Sequence, residues 1–462
     1  VPPEPWTGVR DALDFGPTPP KPPYSEGFAK LLSDPVVPGD DCLNLNVWTP
    51  EPGPGARLPV MVWLHGGALT RGSSAVPVYD GRAFARDGVV FVSVNYRLGV
   101  EGYGLFPDAP ANPGLREQPD AELRDRLAPP GQRAGVRLAA PQAQGLVRRA
   151  VLQSGPPEAF DRDKVRRMVR RMATRLKIPA TAEAFAAVDR ELLLRTQADV
   201  GRLSSPVLGG PTFGIVIDGD LVPRDPLEAL VDGEVGRGVD LMLGWTRDEY
   251  RLWLVPGGLH ERVDRLGAVA LAGAMARCHC GVEVPRGYRT LHPDAGTAET
   301  VGQLVTDHLL RYPLHRLAEA RPGTAHVYEF AWPSNLPDLG SCHALELGFV
   351  FDTGDIPESA KLAGEGAPQE LADAMHGAWV RFAVDGEPGW QTWDDTHPVR
   401  IFGEGAPYVA NGPRDPEFAL WAADTETTEA PVPVERPPAR SATELRSVVR
   451  RLRRTGDVRR SS

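Results

Sequence analysis

Apolar residues along this chain gather in short runs separated by polar, glycine- and proline-rich stretches. The clearest are "LNLNVW" (Leu43 to Trp48), "PVMVWLHGG" (Pro59 to Gly67), "VVFVSVNY" (Val89 to Tyr96) and "RAVLQSG" (Arg149 to Gly155). "VDLMLGWT" (Val239 to Thr246), "AHVYEFAW" (Ala325 to Trp332) and "PVRIFG" (Pro398 to Gly403) complete the set. Runs without polar alternation suit strands buried on both faces of a sheet. Between them, "DKVRRMVRRMATRLK" and "QELADAMHGAWVRFAVDG" carry apolar residues at helical spacing. Strand runs alternating with helical ones predict an α/β fold with a largely parallel sheet flanked by helices.

Composition narrows the picture. The chain has 462 residues, 42% of them hydrophobic, enough for one large α/β domain with a substantial core. A formal charge of −10 argues against nucleic acid as the main partner. No run approaches the roughly 18 apolar residues of a membrane span. Cys42, Cys278, Cys280 and Cys342 are too sparse for a disulfide scaffold. "CHC" (Cys278 to Cys280) is too tightly spaced for a zinc knuckle and has no second Cys/His pair nearby, so no metal or other cofactor is expected. After Trp421 the composition shifts. Residues 422–462 read as a Pro-rich linker followed by a basic, disordered tail, leaving 1–421 as the folded domain. The chain opens on Val1 in a sequence that reads like the interior of a domain, so its start is expected upstream. Localisation stays open, with the cytoplasm favoured over secretion.

The chemistry-bearing stretch is "WLHGGALTRGSS" (Trp63 to Ser74). A glycine pair after a buried strand lets backbone amides point into a cavity, where they can hold the oxyanion of a tetrahedral intermediate. Around it, in order, stand "GDDCLNLNVWTP", "VVFVSVNYRLGVEGY", "NPGL", "RRAVLQSG", "GIVIDGDLVPRDP", "LGWTRDEYRLW" and "GSCHALELGFVF". This series resembles the type-B carboxylesterases, the α/β-hydrolase family that includes cholinesterases and p-nitrobenzyl esterases, over about residues 5 to 421. The resemblance implies hydrolysis of small carboxylic esters through an acyl-serine intermediate. It implies Glu249 of "TRDEY" as the triad acid and His343 of "GSCHALEL" as the triad base. Gly67 and Ala68 match the oxyanion donors, with Gly66 making the turn, and Ser154 of "LQSG" matches a serine behind the acid. An imidazole can take the serine proton and return it to the leaving group, while a buried carboxylate fixes its tautomer. The resemblance also implies a bridge from the cysteine of "DCLNLN" to one upstream. This chain has none there, so all four thiols are expected free.

One departure is severe. The family nucleophile sits in G-x-S-x-G between "NPGL" and "RRAVLQSG", and this motif occurs nowhere in the chain. In its place "PDAELRDRLAPPGQRAGVR" carries three prolines and no apolar run, so the gap is placed at about 119–138 and the sheet is expected to lack a central strand. Leu69, where the family favours Phe, and "FDTG" (Phe351 to Gly354), where it favours F-G-T/S, are milder departures. The expectation is an ester hydrolase by lineage that is inactive or impaired as it stands. The alternatives are a non-catalytic esterase-like binding protein, that is, a pseudoenzyme, or the translation of a damaged gene. Neither substrate identity nor oligomeric state is legible.

Overall fold

A computed structural model describes residues 7–8, 11–53, 55–117, 132–202 and 212–429. The chain divides into two compact units, Val1–Trp421 and Ala422–Ser462. In the first, seven of the eight described strands lie along the apolar runs: β1 (Leu45–Trp48), β2 (Val60–Leu64), β3 (Val90–Val94), β4 (Arg149–Gln153), β5 (Asp240–Thr246), β6 (Ala325–Phe330) and β7 (Pro398–Phe402); β8 (Tyr408–Asn411) lies beyond them. The helices that matter here are α1 (Gln132–Ala139), α2 (Arg162–Leu176), α3 (Pro226–Val231), α4 (Tyr312–Glu319), α5 (Leu347–Val350), α6 (Gln369–Val384) and α7 (Asp415–Glu429).

The strands form two sheets. One has the order β1-β3-β2, the other β4-β5-β6-β7-β8. Pairing is parallel except for β1 against β3 and β8 against β7, at the two outer edges. Every residue of β6, and all but the first of β5, is buried, because helices cover both faces. On one face a single core spans both sheets. There Met61 and Trp63 of β2, Val151 of β4 and Met242 of β5 meet Phe349 of α5 and Trp379 of α6. On the other face the cores are separate. Val62 and Leu64 pack only with the valines of β3, whereas Ala150 and Leu152 pack with α1, α3 and α4.

Among the described residues β2 and β4 do not pair, so the strands stand as two sheets rather than one. The expected gap at 119–138 ends earlier than its composition suggested. Residues 118–131 lie outside the described residues, but α1 begins at Gln132, burying Ala134 and Leu138, at helical i, i+4 spacing, in one core and Val136 in another. Its arginines and glycine broke up the apolar run. The stretch read as linker from residue 422 also begins differently. It continues α7 as far as Glu429, over a segment without proline, with Asp415 and Glu417 in the favourable first turn. The rest of the linker and the basic tail lie outside the described residues. All four cysteines are free. No described helix is long and apolar enough to cross a membrane.

Candidate active site

β5 ends at Thr246, and the next turn carries Glu249, which is fully buried. Two anchors fix that turn. Glu329 on β6 accepts from Arg247 Nε at 2.9 Å, Arg414 Nε at 2.8 Å and Trp245 Nε1 at 3.1 Å. Burial opposes ionisation of Glu329, yet Arg414 and Arg247 overcome it and hold its pKa at about 2. Arg311, itself paired with Asp307 at 2.5 Å, donates to the carbonyl oxygens of Thr246 and Arg247.

A second loop brings His343 to this turn. Asp248 N–H donates to Ser341 O at 2.9 Å, and Ser341 N–H returns a bond to Asp248 Oδ2 at 3.0 Å. Gly340 holds φ +52°, and a Cβ there would lie 2.6 Å from Asp248 Oδ2, so only glycine lets the loops close this tightly. His343 Nδ1 then sits 2.5 Å from Glu249 Oε2. Glu249 Oε1 accepts from Ser154 Oγ at 2.5 Å and from Thr246 N–H at 2.8 Å. Burial would raise the Glu249 pKa, but His343 and these hydrogen bonds outweigh it and hold the carboxyl below its ordinary value. Burial likewise opposes protonation of His343, and Glu249 reverses it, raising the imidazole pKa.

The third component follows β2. Gly67 has φ +116°, and a Cβ there would strike Arg71 O at 2.2 Å. The chain stays in the left-handed region through Ala68 (φ 51°) and Leu69 (φ 61°). Thr70 and Arg71 amides close the turn onto Gly67 O at 3.1 and 3.0 Å. The turn expected at Gly66 therefore lies one residue later. Gly66 has no positive φ and open space at its Cβ position. Among the described residues the Gly67 and Ala68 amides donate to no protein acceptor.

Gly66, Gly67, Ala68, Ser154 and His343 all line one cavity of about 1020 Å³. The imidazole side chain keeps 30% exposure there, beside the Trp253 ring at 4.8 Å between centroids. Its Nε2 has no protein hydrogen-bond partner among the described residues, so no hydroxyl group is seen paired with it. The sequence-selected residues thus meet at one cavity wall.

Sequence reasoning missed Glu346, three residues beyond His343. It is 2% exposed, accepts from Gln153 Nε2 at 3.4 Å through Oε1, and leaves Oε2 unpartnered. Burial, reinforced by the charge of Glu249, pushes its pKa up to about 7. The signal was there: a carboxylate three residues after the histidine, in the same "GSCHALEL" block. No group of three or more His, Cys, Asp or Glu among the described residues has the arrangement of a metal site.

The chain matches the Carboxylesterase family over residues 1–121 and 131–400. It belongs to that family. It is 30% identical to the phenmedipham hydrolase of Pseudarthrobacter oxydans, over 87% of each chain. It is 29% identical to the para-nitrobenzyl esterase of Bacillus subtilis (strain 168), over 86% of this chain and 84% of that one. Among solved structures it is similar to the carboxylesterase Est55 of Geobacillus stearothermophilus, with a TM-score of 0.77 and 29% identity over 91% of each chain. The fold is therefore the α/β-hydrolase fold and the lineage that of carboxylic ester hydrolases. The family match is itself interrupted between residues 121 and 131, inside the expected gap.

Proposed function

We propose that the cavity binds small carboxylic esters and that Glu249, His343, Gly67 and Ala68 are the surviving machinery of acyl transfer, in a chain that lacks its own nucleophile. The observation carrying this is the 2.5 Å contact between His343 Nδ1 and Glu249 Oε2, with the other imidazole nitrogen unpartnered and the ring exposed to a cavity that unpaired amides also line. With Nδ1 held by a carboxylate, Nε2 is the basic nitrogen. A hydroxyl presented there would give up its proton to Nε2 as its oxygen bonds the ester carbonyl carbon. The carbonyl oxygen, now negative, would be met by the Gly67 and Ala68 amides. Collapse of that intermediate breaks the bond to the alkoxide, which takes the proton back from Nε2. Water repeats the sequence on the acyl group.

Ser154 does not serve as this nucleophile. Its hydroxyl donates to Glu249, on the far side of the carboxylate from His343. A fluorophosphonate probe followed by mass mapping tests the reading. Purified protein is expected to show no stoichiometric label. Full labelling of any one serine refutes the lack of a nucleophile and identifies the residue that fills the role. Slow turnover of an activated ester is compatible, because an oxyanion site alone supplies about 10³–10⁴ over water.

A further inference from the structure

The cavity carries charge at a second place besides His343. Arg277, in the last turn of the helix Ala268–Cys278, lines it half-buried. Its Nε is buried and unpartnered, and among the described residues the guanidinium makes no ion pair or hydrogen bond. Its charge is felt by its neighbours. Burial and then Arg277 hold Lys164 and His308 below their ordinary pKa, His308 at about 4. Lys164 lines the same cavity, its ammonium 5.7 Å from the Phe160 ring centroid. The carboxylates around this cluster do not close on Arg277. Asp161 accepts from Asp163 N–H at 2.7 Å and faces Arg167 at 3.8 Å, and Asp225 caps α3 through Glu228 N–H at 3.1 Å. Glu158 is open to the cavity and makes no ion pair among the described residues, and burial raises its pKa.

We propose that the ester bound beside His343 carries a carboxylate of its own, remote from the ester group and held by Arg277; this rests on the ester reading of the cavity. A guanidinium cannot shed its proton to relieve burial, so an anion stabilises it there, and its planar fork fits a carboxylate through two parallel hydrogen bonds. Lys164 adds a second positive charge against the one open carboxylate, Glu158, which can give up its charge by taking a proton when an anion arrives. A cationic substrate meets the opposite balance. The wall between the two ends is apolar. Trp253, beside His343, packs with Leu259 and Leu309 in one cluster with Cys278, the neighbour of Arg277, and all but Cys278 line the cavity. The reach is short. Glu158 follows Ser154, whose hydroxyl touches Glu249, by four residues, at most about 14 Å of extended chain. The substrate class is a half-ester of a dicarboxylic acid or an ester of a hydroxy acid, with a short aliphatic spacer between ester and carboxylate.

A chain without a nucleophile lets esters be titrated without being consumed. The whole chain is titrated by calorimetry with monobenzyl glutarate and monobenzyl adipate, with benzoyl esters of the matching hydroxy acids, and with the methyl-capped form of each. Carbon-13 NMR follows the His343 resonance, assigned by its loss in His343→Ala. At least one carboxylate-bearing ester is expected to bind about tenfold or more tightly than its capped form and to shift that resonance. Arg277→Gln should lose the preference through the carboxylate form alone, and Glu158→Gln should widen it at least about twofold. Equal affinity within every capped and uncapped pair, a preference that survives Arg277→Gln, or tighter binding of a trimethylammonium analogue overturns the proposal. So does a preference with no shift at His343, since the ester would then sit elsewhere. Capped esters that bind and shift His343 with no preference for the carboxylate form sink this subsite alone and leave the Glu249 and His343 reading standing. Absence of binding by every ester counts against both.

Discussion

At the scale of single residues, His343 and Glu346 in one wall of the cavity and the buried Glu249 behind it set each other's protonation. Glu249 is held ionised, His343 is biased toward its charged form, and Glu346 is pushed toward its neutral one. Glu249→Gln removes the charge that offsets burial of the imidazole, so the His343 pKa should fall. Carbon-13 NMR of labelled histidine, with the His343 resonance assigned by its loss in His343→Ala, reads this directly. An unchanged value would mean that the 2.5 Å contact is not kept in solution. The linkage has a definite sign. The folded His343 pKa lies above 6.5, so its contribution to stability is complete below 6.5 and is lost as pH rises through the folded value. Glu346 acts in the same direction. Its folded pKa of about 7 lies above the ordinary 4.5, so the folded state binds the proton more tightly, and stability declines as pH rises from 4.5 to about 7. In Glu346→Gln that decline should shrink by a few kcal/mol at most, on the order of 1.4 kcal/mol per pKa unit removed. Urea denaturation at pH 5 and pH 8 measures it, and a variant with the wild-type slope would show that Glu346 ionises normally.

At the scale of elements, the turns that carry Glu249 and His343 rest on charges placed beneath them. Glu329 on β6 holds Arg247 and Arg414, and so ties the turn after β5 to the residue that leads into α7. Glu329→Gln leaves the buried Arg414 guanidinium without its carboxylate, a loss expected at about 3–5 kcal/mol, while the half-exposed Arg247 can turn to solvent. The Glu329 pKa is depressed to about 2, so its stabilisation is present above the ordinary carboxylate value of 4.5 and vanishes as pH falls toward 2. The variant and the parent should therefore converge in stability under acid, and a constant difference down to pH 2 would contradict the assignment. Little of this support was legible in the sequence, because Glu329 sits inside an apolar run and its partners are 82 and 85 residues away along the chain. The strands themselves were legible, since seven have cores of β-branched and aromatic residues. β8 was not, being four residues long, half-exposed and set at an edge. α2 and α6 matched their periodic stretches almost to the residue, whereas α1 was hidden because arginines and a glycine interrupt its apolar residues in the sequence. The roles proposed for Glu249 and His343 came from matched motifs, while the left-handed turn at Gly67, Ala68 and Leu69 needed backbone angles that no pattern of residue types specifies.

At the scale of the whole molecule, the site retains its supports while the sheet beneath it is split. Glu249, His343 and the Gly67 turn belong to loops that follow β5, β6 and β2, and each loop has its own anchors. These parts can therefore meet although β2 and β4 do not pair. A middle strand would add two rows of ladder hydrogen bonds, join the separate cores and end at the cavity beside Gly67 and His343. The decisive experiment inserts a strand–turn–helix segment carrying G-x-S-x-G between Gln118 and Gln132. Placing it before Gln132, rather than further into α1, preserves the helix that buries Ala134 and Leu138 against the second sheet. The repaired chain is expected to gain stoichiometric fluorophosphonate labelling at the new serine and turnover of p-nitrophenyl esters at least about 10³-fold above the parent, given what a complete triad adds to an oxyanion site. His343→Ala in that background should abolish the gain, and Glu249→Gln should remove most of it. If the repaired chain folds more stably yet stays inactive, the missing strand is a structural lesion only, and the reading of Glu249, His343 and the Gly67 turn as surviving acyl-transfer machinery fails.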